Sequence, residues 1–155
     1  MYKEISRELL DFLQKSPTAF HAVENIRNEL LENGFVEILE SQRWDITPGG
    51  KYFVTRNNSS IIAFHVGTKL DNYGFNVAAS HTDYPTFKIK ENAEIEVKGK
   101  YTQLNTEGYG GMLCATWFDK PLSIAGRVLV KEGNQFITRL LNIDRDLVLI
   151  PNMAI

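Results

Sequence analysis

The strongest constraint on this chain is a change of hydrophobic period at Pro85. Before it, apolar residues recur at helical spacing in two stretches and alternate in two or three short ones. After it the helical period vanishes and only short alternating runs remain. Helices and strands followed by strands alone predict an α/β unit and then a β-rich one, with the boundary near residue 87. In the first part, residues 2–14 predict an amphipathic helix, with Tyr2, Ile5, Leu9 and Leu13 on one stripe. Ser16 and Pro17 predict the N-cap and first residue of a second helix running to about Glu32, with Gly34 as its stop. Strands are expected over 35–39, 51–56 and 60–66, the last two joined through Asn57-Asn58-Ser59, with a polar loop over 67–74. In the second part, strands are expected over 86–90, 94–97, 101–105, 112–118, 123–131, 135–143 and 147–150. Glu132-Gly133-Asn134 marks a hairpin turn between two of them.

Between the two parts stands Val77-Ala78-Ala79-Ser80-His81-Thr82-Asp83-Tyr84-Pro85. Its small apolar start, preceded by Phe75, predicts a strand buried on both faces. Pro85 cannot donate to a ladder and ends it. His81 and Asp83 then fall at the carboxyl end of a strand, where open α/β sheets bind ligands. On extended chain, side chains two apart share a face. A neutral imidazole is a good zinc ligand. A neighbouring carboxylate accepts its second N–H, fixes the tautomer and makes the ligand more basic. His81 is therefore the candidate metal ligand and Asp83 the candidate catalytic residue that orients it. The plain alternative, a strand-end histidine hydrogen-bonded to a carboxylate, needs no metal.

Composition excludes several other classes. Seventeen basic and nineteen acidic residues give a net charge of −2, which argues against nucleic acid or an anionic membrane as the main partner. No apolar run reaches the roughly 20 residues that span a bilayer. The N-terminal stretch lacks the apolar core of a secretory signal, and the single cysteine, Cys114, permits no internal disulfide. Both predict a cytoplasmic protein. There are only three histidines, whereas a catalytic zinc takes about three protein ligands. His21 reads as a partly buried helix residue and His65 as a cross-strand partner, so this chain looks short of a complete site. Gly110-Gly111 lacks the spacing and lysine of a phosphate loop and reads as a bulge or close backbone approach. Trp117-Phe118-Asp119 reads equally as a binding patch or a packed strand end. The apolar end, Leu147 to Ile155, implies a docked strand or a missing continuation.

Several stretches together resemble the N-terminal part of the aspartyl aminopeptidase family of zinc metallopeptidases. They are Ser16-Pro17-Thr18-Ala19-Phe20-His21-Ala22-Val23 after Phe12, Pro48-Gly49-Gly50-Lys51-Tyr52-Phe53, Ser80-His81-Thr82-Asp83-Tyr84-Pro85, Asn105-Thr106-Glu107 with Tyr109-Gly110-Gly111, Thr116-Trp117-Phe118-Asp119, Leu122-Ser123-Ile124-Ala125-Gly126-Arg127-Val128 and Ile150-Pro151-Asn152-Met153-Ala154-Ile155. They occur in family order across nearly the whole chain. Tyr84 departs from the serine usual in the family at that place.

The resemblance implies residues 1–87 as the N-terminal part of a mixed-sheet α/β catalytic domain, and 88–155 as part of a β-rich dimerisation domain, in a chain that looks truncated. It implies an aminopeptidase that removes N-terminal, possibly acidic, residues from peptides with metal-activated water at a di-zinc centre. It implies dimers assembling into a dodecamer. His81 matches a zinc ligand and Asp83 the carboxylate behind it; the remaining ligands and the general base lie beyond this sequence. The alternative reading is a non-catalytic oligomerisation or binding module. A third, an oligonucleotide-binding barrel, fits the short strands but not the charge.

Overall fold

The structure is a computed structural model that describes residues 2–69, 71 and 74–153. In chain order it contains α1 (Tyr2–Lys15), α2 (Ala19–Glu32), β1 (Val36–Glu37), β2 (Lys51–Arg56), β3 (Ser60–His65), β4 (Thr86–Val97), β5 (Tyr101–Tyr109), a 3-10 turn (Cys114–Trp117), β6 (Pro121–Leu122), β7 (Ala125–Glu132), β8 (Gln135–Asn142) and β9 (Val148–Leu149). Its contacts group into two units. One comprises Met1–Thr82 with Ser123–Arg145, the other Asp83–Leu122 with Asp146–Ile155.

In the first unit, β1 runs parallel to β2 and β3 antiparallel to it, making a mixed three-stranded sheet. The middle strand carries the core. Tyr52, Phe53 and Val54 are all buried, Phe53 completely, and α2 adds Ala22 and Val23. Three consecutive buried residues on a strand mean that both of its faces are covered. On the Tyr52 face, its ring lies 5.7 Å from the ring of Phe64, its cross-strand partner, and Trp44 lies 6.2 Å from Phe64. Gly50 is there because nothing larger fits: a Cβ at that position would stand 2.4 Å from the buried Tyr52 ring. Arg27 of α2 reaches Glu37 of β1 at 2.8 Å, and Arg56 reaches Glu40 at 2.6 Å. Both ion pairs are solvent-accessible and act as small registers rather than major supports.

Helix α2 ends as expected. Gly34 and Phe35 donate to the carbonyls of Leu31 and Leu30, the hydrogen-bond pair of a Schellman stop. Its start lies two residues later than Ser16 and Pro17 suggested. Thr18 is the N-cap, in an extended conformation, and its hydroxyl accepts from the His21 amide. Ser16 is buried and its hydroxyl instead accepts from Asn25 Nδ2 at 3.0 Å, which removes it from capping. Helix α1 forms over its expected span and lies against α2, yet none of its stripe is buried.

The hairpin β7–β8 belongs to this first unit by contact, although residue pattern placed it in segment 88–155. Arg127 supplies a reason: its guanidinium stacks 4.1 Å over the Phe20 ring and donates to both the backbone and side-chain oxygens of Asn57. That partnership spans 70 residues of sequence and leaves no periodic trace.

In the second unit, β4 and β5 form a long antiparallel ribbon, and β6 pairs with β9. The strands expected over 86–90 and 94–97 are one strand, its register shifting between Ile89 and Glu94. Residues 112–118 are not a strand. The Thr116 amide and hydroxyl both donate to Leu113 O, and Phe118 donates to Ala115 O, closing a local turn where a ladder was expected.

The largest departure concerns residues 75–81. They form no strand, and Phe75 and Val77 are 94% and 82% exposed. A strand buried on both faces needs neighbours on both sides, and none of the described residues pairs with this stretch. The loop expected over 67–74 falls partly outside the described residues, as do Ala154 and Ile155 of the apolar end.

Two consequences are measurable. Phe53→Ala should destabilise the first unit by about 3–5 kcal/mol, read from chemical denaturation. Desolvation holds the His21 imidazole below its ordinary value of 6.5, and the helix N-terminus opposes its charging in the same direction. The stabilisation from neutral His21 is therefore complete above 6.5 and is lost as pH falls through the lower, folded-state value. Melting temperature should drop between pH 7 and 5, with a shallower drop in His21→Gln.

Candidate functional site

His81 sits at the end of the extended stretch rather than at the end of a strand, and its side chain is exposed. What fixes the chain there is its neighbour. The Thr82 hydroxyl donates to Ser59 O, in the turn joining β2 to β3, at 2.7 Å. That turn is tight: Asn57 and Asn58 both take positive φ, 53° and 52°, in the left-handed region where asparagine is tolerated. The backbone beside His81 is thus held to a hairpin turn by a hydroxyl anchor, and not at the carboxyl end of a strand as the α/β reading expected.

Asp83 is half-buried and opens the second unit. The Tyr109 phenol donates to its Oδ2 at 2.5 Å. A hydrogen bond this short to a carboxylate is charge-assisted. The bond and the adjacent negative charge push the Tyr109 phenol above its ordinary range, so it remains a donor at neutral pH. Tyr109 lies in the last residue pair of the β4–β5 ribbon, opposite Thr86. Next to it, Gly110 has φ +74°, and a Cβ there would meet Pro85 Cγ at 3.4 Å and its Cα and Cβ at 3.5 Å. The close backbone approach expected at Gly110-Gly111 is therefore with Pro85. Tyr84, between these two contacts, has its phenol pushed up by burial.

Of the other candidates, Trp117 packs edge-on against Phe87, with centroids 5.6 Å apart at 85°. That favours the packed reading over a free aromatic patch. His21 faces Thr18, its Nδ1 2.8 Å from the hydroxyl. His65 ends β3 opposite Lys51. Neither is brought to a shared cluster.

Whether these groups fit a metal is a question of donor number. Among the described residues no group of three or more histidines, cysteines or acids stands close enough to hold an ion. His81 offers the chemistry of one ligand, and Asp83 the chemistry that orients one. The set fits a share of a zinc centre and not a whole one, so no chemical step is derived through metal. Sequence reasoning missed Thr82 and Tyr109. Both stood in quoted family stretches with no role given to either. The second lies 26 residues from its partner, a separation that no local pattern reports.

Comparison with known proteins bears on the rest. The family described as "Aminopeptidase I zinc metalloprotease (M18)" matches residues 12–155. The chain is 50% identical over 155 residues to a probable M18 family aminopeptidase 2 of Clostridium acetobutylicum, covering 98% of this chain and 36% of that protein. It is 44% identical over 156 residues to the aspartyl aminopeptidase of Dictyostelium discoideum, covering 99% and 32%. Among solved structures, mApe1 of Chaetomium thermophilum is similar with a TM-score of 0.91 and 38% identity, over 99% of this chain and 36% of that one. The S. cerevisiae mApe1 dodecamer is similar with a TM-score of 0.83 and 28% identity, over 98% and 36%. The chain spans about a third of the length of the curated relatives it matches. Mixed helix and sheet, the Ser80–Asp83 motif and a family match over nearly all of its length lead to one assignment: the chain belongs to the M18 family of zinc metallopeptidases.

Proposed function

We propose that this chain is the N-terminal third of a zinc-dependent aminopeptidase that removes N-terminal residues from peptides, acidic residues being the candidate preference. The observation that carries the reading is the family match over residues 12–155, which includes an exposed imidazole at His81. His81 contributes one zinc ligand of a two-metal centre. Asp83 orients it and raises its basicity. Bound zinc would supply a water acidic enough to act near neutral pH. The remaining ligands and the general base come from the two thirds of the relatives' length that this chain does not span.

Residues 1–87 then belong to the catalytic domain and 88–155 to a β-rich dimerisation domain. The assembly is a homo-oligomer of dimers, a reading supported by the similarity to the S. cerevisiae mApe1 dodecamer. The acidic preference is supported by the relatives named aspartyl aminopeptidase. No helix among the described residues is long and apolar enough to cross a membrane, and the single cysteine suits a reducing cytoplasm. Nucleic acid and membrane are not its partners, on the charge balance given above.

The second reading, a binding or oligomerisation module, has one observation behind it: among the described residues no donor cluster stands together. It describes what residues 1–155 do when nothing completes the site. Two assays test these readings, and the second separates them. Residues 1–155 alone should retain no stoichiometric zinc after dialysis against a mild chelator and should not release aspartate from an aspartyl peptide; retained zinc would overturn the shared-site reading. In the protein of full family length, His81→Ala should lose bound zinc and about 100-fold or more in kcat/KM. Wild-type zinc content and turnover in that variant would leave the module as the better account.

A further inference from the structure

We propose that Tyr109 is a positioning residue that sets the rotation of the Asp83 carboxylate and, through it, the orientation of the His81 imidazole. The inference deepens the reading of Asp83 as the group that orients a zinc ligand, and it rests on that reading.

An aspartate carboxyl turns about a broad, nearly two-fold torsion. Left to itself it presents either oxygen, or the plane between them, to a neighbouring imidazole. Pinning one oxygen removes that freedom. The Tyr109 hydroxyl does so at Oδ2, at 2.5 Å. The phenol can fix the carboxylate only if its own backbone is fixed, and two contacts hold it. Tyr109 pairs with Thr86 in the β4–β5 ladder, three residues beyond Asp83. Gly110 turns the chain with φ +74° directly against Pro85. The segment carrying the acid and the segment carrying the phenol are thus held together just beyond the hydrogen bond, at Pro85–Gly110 and Thr86–Tyr109. Any residue but glycine at position 110 would be strained by the backbone angle, while its Cβ would sit in ordinary contact with Pro85.

A plain structural strut would also explain a short hydrogen bond. It differs in what its loss would do. Removing a strut lowers stability and leaves the metal alone. Removing the group that aims a ligand-orienting acid weakens metal retention and slows turnover, with stability little changed, since Tyr109 is 46% exposed.

The test uses the zinc-loaded protein of full family length and Tyr109→Phe, which keeps the ring and deletes only the hydroxyl. Zinc loss to a chelator should be about 10-fold faster. kcat should fall by a similar factor, with KM within about twofold, because the interaction acts on the metal site and not on substrate binding. Combining Tyr109→Phe with Asp83→Asn should add nothing to Asp83→Asn alone, since both delete the same chain of orientation. Unchanged zinc retention and kcat in Tyr109→Phe would overturn the proposal. So would full additivity with Asp83→Asn, or a lowered melting temperature with the metal held as in the wild type. His81→Ala separates the two levels. Zinc lost in His81→Ala but retained in Tyr109→Phe removes this inference alone. Zinc retained in both removes the underlying assignment of the ligand, and the inference with it.

Discussion

The first unit depends on the β2–β3 hairpin. Its middle strand buries Tyr52, Phe53 and Val54 in succession, and its turn, Asn57 to Ser59, accepts hydrogen bonds from two distant places. Thr82 reaches Ser59 and Arg127 reaches Asn57. One anchors the stretch that carries His81 and the other draws in the β7–β8 hairpin. A turn bent by two asparagines at positive φ presents carbonyl oxygens outward, free of the ladder, and the chain uses them as fixed points. The position of the candidate ligand is therefore set by the same hairpin that sets the core.

Much of this was legible from residues alone, where the signal was local. The stripe in α1, the Gly34 stop of α2 and the strands 51–56 and 60–65 each depend on neighbours within a few positions. The start of α2 was misplaced because Ser16 and Thr18 are both good caps by chemistry. Which one serves was decided by Asn25, nine residues on, taking the Ser16 hydroxyl. Residues 112–118 have the composition of a strand, but a threonine that bonds back to Leu113 turned them into a helical turn.

The misjudged strand at 75–81 has a different cause. Small apolar residues report that a stretch is suited to burial, not that a partner is at hand. For the candidate site, spacing and family likeness singled out His81 and Asp83 as candidates. The hold on each was not readable, because Thr82–Ser59 and Tyr109–Asp83 join points 23 and 26 residues apart. Long-range hydrogen bonds between single side chains leave no period behind them.

Phe75 to Ala79 gives the chain an open seam. Its amides and carbonyls lie outside every ladder among the described residues, and large apolar side chains flank them in water. Such a ribbon is a template for strand addition. Whatever segment lies down along it gains main-chain hydrogen bonds and a greasy cover in one step.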